Sequence, residues 1–238
     1  MNTTNGVLLK VGKMEHIQDL YENGTIFFNT IQYFRELEDK QLRGDGYEGA
    51  SNIINSLPGT FIIPGSNHVV NFEKIHIKSA YPKVLGNIFC LYCLSPQTVL
   101  NPFDFKIDDR IEEFGTHFLM IKNGALFFEK VKKELENQGY KSHVDFVKYY
   151  DKDNVNSDLS VFNKPKEYEH QKELRIYIEN NEEKFIKITI GSLKEFSQIY
   201  ESKHLKTLTF TKPIIESNTY FKIKLIFKNF LSLFKKTK

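Results

Sequence analysis

The chain has 238 residues, 40% of them hydrophobic and 26% charged, with a net charge of +3. That is enough apolar material to bury a core and too little charge imbalance to mark a disordered chain or a dedicated polyanion binder. No run approaches the ~18 apolar residues of a membrane-spanning helix, and the opening MNTTNGVLLKVGK lacks the basic start and apolar stretch of a secretion signal, so the expectation is a soluble, cytoplasmic protein.

Val7 to Val11 is a short apolar run that predicts a strand. MEHIQDLYENG then places Met14, Ile17, Leu20 and Tyr21 at helical spacing and stops at Gly24, a residue suited to the left-handed position after a helix. TIFFNTIQYF, β-branched and aromatic, predicts a strand followed by a helical turn. The charged, glycine-broken ELEDKQLRGDGYEG predicts a loop. From Ile53 to Ile77, Pro58, Gly59, Pro64 and Gly65 interrupt short strands.

NIFCLYCLS predicts a strong strand that carries both cysteines, Cys90 and Cys93. A lone CxxC has no second pair to complete a zinc site, and its neighbours are apolar, so both thiols read as buried, reduced strand residues. THFLMIK predicts a strand, GALFFEKVKKELENQG an amphipathic helix closed by Gly139, and HVDFVKYY another strand. KELRIYIE and KFIKITIG are expected to pair as a hairpin. The order predicts one α+β domain over residues 1–238. In the tail, residues 219–238, Ile223, Ile226, Phe227, Phe230, Leu231 and Phe234 share a helical face flanked by lysines. Two readings stay open for it: a terminal helix docked on the core, or a basic amphipathic helix that touches a partner or a membrane surface.

The seven histidines are scattered without HxxxH spacing, so no metal site is expected, and P-loop, dinucleotide-binding and nucleophile-elbow motifs are absent. Two polar clusters remain. The loop RELEDKQLRGDGYEG carries Arg35, Asp39, Arg43, Asp45 and Glu48, either a solvated ion-pair patch or a preorganised site. In QKELRI, strand alternation would put Gln171, Glu173 and Arg175 on one wall, with Leu174 and Ile176 buried behind it. That wall is either a same-face ion pair or a functional row.

The opening LLKVGKMEHIQDLYENGTIFFNT resembles the front of the ADP-ribosyltransferase superfamily, and the late QKE resembles that superfamily's Gln/Glu-x-Glu motif. The succession of the YFR and RGDGYEG loop, CLYCLS, FGTHFLMI, VKYYD and YEHQKELRI also resembles a bacterial family of defence loci. The resemblance implies a mixed-sheet core of ADP-ribosyltransferase type with flanking helices, NAD as substrate and no metal. It implies Glu173 as the carboxylate that binds the ribose 2′-hydroxyl and stabilises the oxocarbenium-like state, and Gln171 as the residue that orients the acceptor. Lys10 and Lys13 stand where the family has a His or Arg, and Ser95 stands in for its Ser-Thr-Ser strand. Asn29, Thr30 and Tyr33 complete the implied NAD contacts, while Arg43, Asp45, Glu48 and Arg175 would face the substrate. The resemblance extends to the DarT and CmdT toxins and so implies RNA or DNA as acceptor and a cognate antitoxin as partner, with the basic tail able to hold a nucleic-acid strand. The competing expectations are a non-enzymatic binding or sensor module, in which QKELR is only an ion-paired strand, and a membrane-active effector driven by the tail.

Overall fold

The structure is a computed structural model that describes residues 6–37, 44–66, 68–80, 85–96, 98–99, 101 and 105–208. The first half runs β1 (Val7–Gly12), α1 (Met14–Asn23), β2 (Thr25–Thr30), α2 (Ile31–Glu36), β3 (Ala50–Asn55), β4 (Gly59–Ile62), β5 (Val69–Phe72), β6 (His76–Ala80) and β7 (Asn87–Leu94). After a 3-10 turn at Asp109–Phe114 come β8 (His117–Ile121), α3 (Gly124–Asn137), β9 (Ser142–Phe146), β10 (Lys148–Tyr150), β11 (Ser157–Asp158) and β12 (Asn163–Pro165). A second 3-10 turn, Lys166–Gln171, leads into β13 (Glu173–Ile178), followed by β14 (Ile186–Thr189), β15 (Ser197–Glu201) and a last turn at Ser202–Thr207. The fold is α+β, with few helices and mostly antiparallel sheets. The basic tail, residues 219–238, lies outside the described residues.

An eight-stranded antiparallel sheet organises the chain in the order β14-β2-β7-β1-β8-β15, with β13 and then β9 added on the other side of β7. β7 is the hub. One of its edges is taken by β13 along Asn87–Tyr92. The opposite edge is shared: β2 pairs at Asn87 and Ile88, and β1 pairs from Tyr92 to Leu94. Between them the ladder is open, and there Lys10 Nζ donates to the Cys90 carbonyl at 2.8 Å while lying 4.2 Å from the centre of the Phe89 ring. A cation thus satisfies a carbonyl that lacks a strand partner on that side.

Alternation along these strands sorts the two faces. Leu8, Ile26, Phe28, Phe89, Leu91, Cys93, Leu119, Leu174, Ile176 and Ile178 meet the buried faces of α1, Ile17 and Leu20, and of α3, Phe127, Phe128, Val131 and Leu135. The other face carries Leu9, Tyr92, Leu94 and Phe118 under Ile107, Ile111 and Leu205 from the connecting turns, with Ile31, Ile88 and Cys90 as a smaller cluster. Each helix has one end closed by a recognisable cap. Asn123 accepts from the Leu126 amide at 3.1 Å to cap α3. Gly24 ends α1 in the left-handed region, φ 67°, and its amide bonds Leu20 O at 3.0 Å.

Three expectations are corrected. KELRIYIE does not pair with KFIKITIG, because β13 is already flanked by β7 and β9, and β14 pairs with β2 at the far edge. HVDFVKYY is two strands: β9 joins the main sheet, and after Val147 β10 leaves to pair in parallel with β12. Gln171 is not a strand residue. It ends a 3-10 turn, and Lys172 in the left-handed region, φ 39°, breaks the alternation before Glu173 opens β13.

Candidate functional site

The side of β13 that faces away from the helices carries Glu173 and Arg175, both buried. Burying a guanidinium is tolerated only where carboxylates and carbonyls surround it. Arg175 is so surrounded: Nε donates to Glu173 Oε1 at 2.9 Å, Nη1 and Nη2 donate to the two oxygens of Glu48 at 2.7 and 2.8 Å, and Nη1 also meets the Val161 carbonyl. The fork-to-fork pairing with Glu48 joins β13 to the loop that precedes β3.

Glu173 has a second cation. Lys164, from β12 and itself buried, donates to Gln171 Oε1 at 2.7 Å and stands 3.5 Å from Glu173 Oε2. Its ammonium also lies 4.7 Å from the centre of the Tyr168 ring. Gln171 and Glu173, separated by the turn at Lys172, therefore converge on one lysine rather than on one strand wall. The Glu173 amide bonds the Tyr149 hydroxyl at 2.9 Å. Glu173 Oε1 is held at hydrogen-bond distance, whereas Oε2 has longer nitrogen contacts, 3.5 Å to Lys164 and 3.4 Å to Arg175.

Burial alone would raise the Glu173 pKa, but the charges of Arg175 and Lys164, with hydrogen bonds from Arg175 and the Cys90 thiol, hold it well below the usual carboxylate range. Arg175 is correspondingly held charged by Glu173 and Glu48 against the cost of burial. Burial and the neighbouring Glu173 push the Cys90 thiol up, so it is an inert thiol that donates to the carboxylate.

Asp45 completes the centre and differs from the others. Its Oδ1 accepts from the Tyr47 amide at 2.8 Å, and its buried Oδ2 has no hydrogen-bond partner. Burial and the Glu48 charge raise its pKa to about 6, against the opposing pull of Lys164, the Tyr47 amide and Arg175. Tyr168 anchors the same loop by donating to Gly44 O at 2.9 Å. The Tyr150 hydroxyl is a second buried polar atom without a partner, and its pKa is raised by burial and by Asp45.

Of the residues implied by the resemblance, Gln171, Glu173, Arg175, Asp45 and Glu48 come together, and Arg43 lies outside the described residues. Lys10 is on the opposite, helix-bearing face of the sheet, where alternation sets it with Leu8 and Phe89. Lys13 is the exposed residue at the start of α1. Thr30 caps α2 by accepting from the Tyr33 amide at 3.0 Å, and the exposed Tyr33 ring packs edge-on against Phe34. Asn29 pairs with Ile88 in the ladder. Ser95 closes the turn after β7, its amide donating to Thr98 Oγ1 at 3.0 Å.

Lys164 had no signal in the sequence, being one lysine among many, whereas Tyr149 and His170 fall in the VKYYD and YEHQKELRI stretches but had no role assigned to them. His170, next to Gln171, has its Nδ1 at 3.0 Å from the Glu167 carbonyl, which can only accept, so Nδ1 carries the proton and Nε2 is left as a buried base without a partner. Burial and Arg110 lower its pKa. Among the described residues there is no group of three His, Cys, Asp or Glu side chains placed to hold a metal, and no helix long and apolar enough to cross a membrane. Comparison of the chain with protein-family models, curated proteins and solved structures found no match in any of the three.

Proposed function

We propose that the chain is an ADP-ribosyltransferase-like bacterial effector that uses NAD as substrate and transfers ADP-ribose to a macromolecule, with Glu173 as the carboxylate facing the ribosyl centre and Gln171 as the acceptor-positioning amide. The observation that carries the proposal is the state of Glu173. The charges of Arg175 and Lys164 favour its ionised form against burial, and its nitrogen contacts are longer at Oε2, 3.5 and 3.4 Å, than at Oε1, 2.9 Å. A cationic ribosyl centre calls for a fixed, ionised carboxylate with an oxygen available to a sugar hydroxyl. Lys164, which stands 3.5 Å from Oε2, is held more closely by Gln171, at 2.7 Å. The core of ADP-ribosyltransferase type belongs to the same proposal, as do the nucleic-acid acceptor, which rests on the lysines and phenylalanines of the tail sequence, and a neutralising antitoxin.

A second reading has its own observation. Arg175 is fully buried and donates its hydrogen bonds to the Glu173 and Glu48 carboxylates and the Val161 carbonyl, which is what a structural clamp between β13 and the 44–49 loop would show. On that reading the chain is a non-enzymatic binding or sensor module. The two separate in one experiment: purified protein is incubated with labelled NAD and, in separate reactions, total RNA, DNA and lysate protein. Label transferred to one acceptor class, and lost in Glu173→Gln, supports the enzyme. Absence of NAD consumption with every acceptor leaves the clamp.

A further inference from the structure

Tyr47 touches the Glu173 centre through its backbone amide, which holds Asp45. Its side chain is engaged elsewhere, on the β3–β6 ladder, where Asn55 stands opposite His76 and Ile53 opposite Lys78. Opposed residues of an antiparallel pair share a face, so the Asn55 and His76 side chains meet. Tyr47 Oη is 2.9 Å from His76 Nε2, and His76 Nδ1 is 2.7 Å from Asn55 Oδ1.

The surrounding bonds fix where the protons sit. Asn55 Nδ2 donates to two backbone carbonyls, Lys152 O at 3.0 Å and Val155 O at 2.8 Å, and a carbonyl can only accept. The amide therefore turns its oxygen to the imidazole, and Nδ1 of His76 carries the proton that this oxygen accepts. In the neutral ring Nε2 is then a lone pair, and the Tyr47 hydroxyl donates to it. The hydroxyl thus has a base in hydrogen-bond reach, and the base is oriented by a third side chain that is itself held at two points, the arrangement that marks an activated nucleophile. Positive charge lies beside it. Lys78 Nζ is 4.8 Å from the centre of the Tyr47 ring and bonds Gly46 O at 2.7 Å, with no ion pair among the described residues. Lys152, 5.6 Å from the same ring, is already paired with Glu167.

We propose that Tyr47, His76 and Asn55 form a second site, separate from Glu173, that transfers acyl groups from a small carboxylic ester. Hydroxyl, imidazole and orienting group in this order recur on unrelated folds for that chemistry and are recognised by geometry and role. Tyr47 Oη attacks the ester carbonyl carbon while its proton passes to His76 Nε2. The negative charge that develops on the carbonyl oxygen is favoured by the Lys78 ammonium. Collapse breaks the bond to the alcohol oxygen, which leaves with the proton from Nε2, and the acyl group stays on Tyr47. Water then attacks the acyl-tyrosine, releasing the carboxylic acid and restoring the hydroxyl. Asn55 is a positioning residue, acting through the imidazole. Tyr47 is half-buried and His76 exposed, so a small ester can reach the pair.

The test uses the purified full-length chain and p-nitrophenyl acetate. A burst of p-nitrophenolate is expected, followed by slower steady release, with the acetyl group mapped by peptide mass analysis to Tyr47 well before it reaches Tyr33, which is 44% exposed. Tyr47→Phe keeps the ring and removes the burst. His76→Gln, at an exposed position, should slow acetylation of Tyr47 by at least ~100-fold, the lower end of what a positioned general base contributes. Asn55→Ala is read by nitrogen NMR: the neutral His76 ring, with its proton on Nδ1 in the wild type, should become a mixture of tautomers, which a loss of stability alone would not produce. Acetyl groups on lysines alone, equal rates at Tyr47 and Tyr33, or a Tyr47 rate that His76→Gln leaves unchanged overturns the proposal. So does a neutral wild-type His76 ring protonated on Nε2, since the hydroxyl would then have no base.

Discussion

The Arg175 guanidinium and the Glu48 carboxylate meet fork to fork, at 2.7 and 2.8 Å, with both side chains 1% exposed and 127 residues apart in the chain. The pair does two things at once. It ties the 44–49 loop to the central strand β13, and it leaves Glu173, on the other flank of Arg175, in a fixed position. Removing one partner of such a pair strands a buried charge, which typically costs about 3–5 kcal/mol. Arg175→Leu should therefore lower stability by roughly that amount in urea denaturation, since it leaves both Glu48 and Glu173 without their main cation. Replacing Arg175 and Glu48 together with apolar residues should recover part of the loss, because Glu173 still faces the buried Lys164. A single Arg175→Leu change that costs less than about 1 kcal/mol would mean that water reaches the centre and that the pair behaves as a surface one.

Asp45 makes stability depend on pH in the opposite sense to an ordinary ion-paired carboxylate. Its folded pKa is raised to about 6 from an ordinary 3.8, so the folded state prefers the protonated form. Its contribution is fully present below the unfolded pKa and is lost as pH rises through about 6. The difference amounts to on the order of 1–3 kcal/mol. Asp45→Asn, which mimics the neutral acid, should be close to wild type near pH 4 and more stable than wild type near pH 8. Urea midpoints of the two proteins across that range test this, and parallel curves would show that Asp45 is not titrating in the fold.

Gly24 is the point where α1 turns into β2, and backbone from the distant segment after β14 is laid against it. The Ile190 amide bonds Gly24 O at 3.1 Å, and a Cβ on Gly24 would fall 2.2 Å from Gly191 O. With φ at 67° the position is also one that L side chains rarely adopt. Gly24→Ala should cost more than the ~1 kcal/mol of a left-handed alanine alone, because backbone rather than a flexible side chain must move. Thermal melting of the variant reads it, and an unchanged melting temperature would show that the β14 edge is loosely attached.

Periodicity made most of the fold legible. Ile17 and Leu20, or Phe127, Val131 and Leu135, announce the inward faces of α1 and α3, and the near-continuous apolar run of β7 announces a strand buried on both sides. Alternation says which way a side chain points but not which strand lies beside it, and so β13 was joined in sequence to β14 when it lies between β7 and β9. The two polar clusters were visible separately, as RGDGYEG and QKELR. Setting Asp45, Glu48 and Arg175 at one substrate site anticipated that the two clusters meet, but not that Glu48 would pair with Arg175, because an ion pair across 127 residues leaves no local trace. Lys172 is the sharpest case. A lysine in the left-handed region carries no sequence mark, yet it moves Gln171 out of the strand and onto Lys164.

The roles proposed for Gln171 and Glu173 give a last expectation with two parts. Glu173→Gln keeps the size of the side chain and removes its charge, so if Glu173 stabilises a cationic ribosyl centre, NAD-dependent modification should fall by at least ~100-fold, in line with the typical 2.7–4 kcal/mol of a lost electrostatic contact to a transition state. The same change leaves Arg175 and Lys164 facing an amide, so the melting temperature should fall as well, and activity must be compared at a temperature where both proteins are fully folded by circular dichroism. Gln171→Ala should reduce transfer to the acceptor more than it reduces hydrolysis of NAD, because the amide is proposed to place the acceptor rather than to assist nicotinamide departure. It also frees Lys164 from its 2.7 Å bond, so the ammonium would move toward Glu173 Oε2 and raise KM for NAD. Folded Glu173→Gln with wild-type NAD turnover would identify the carboxylate as part of the Arg175 clamp alone, and the sensor-module reading would take the place of the enzyme.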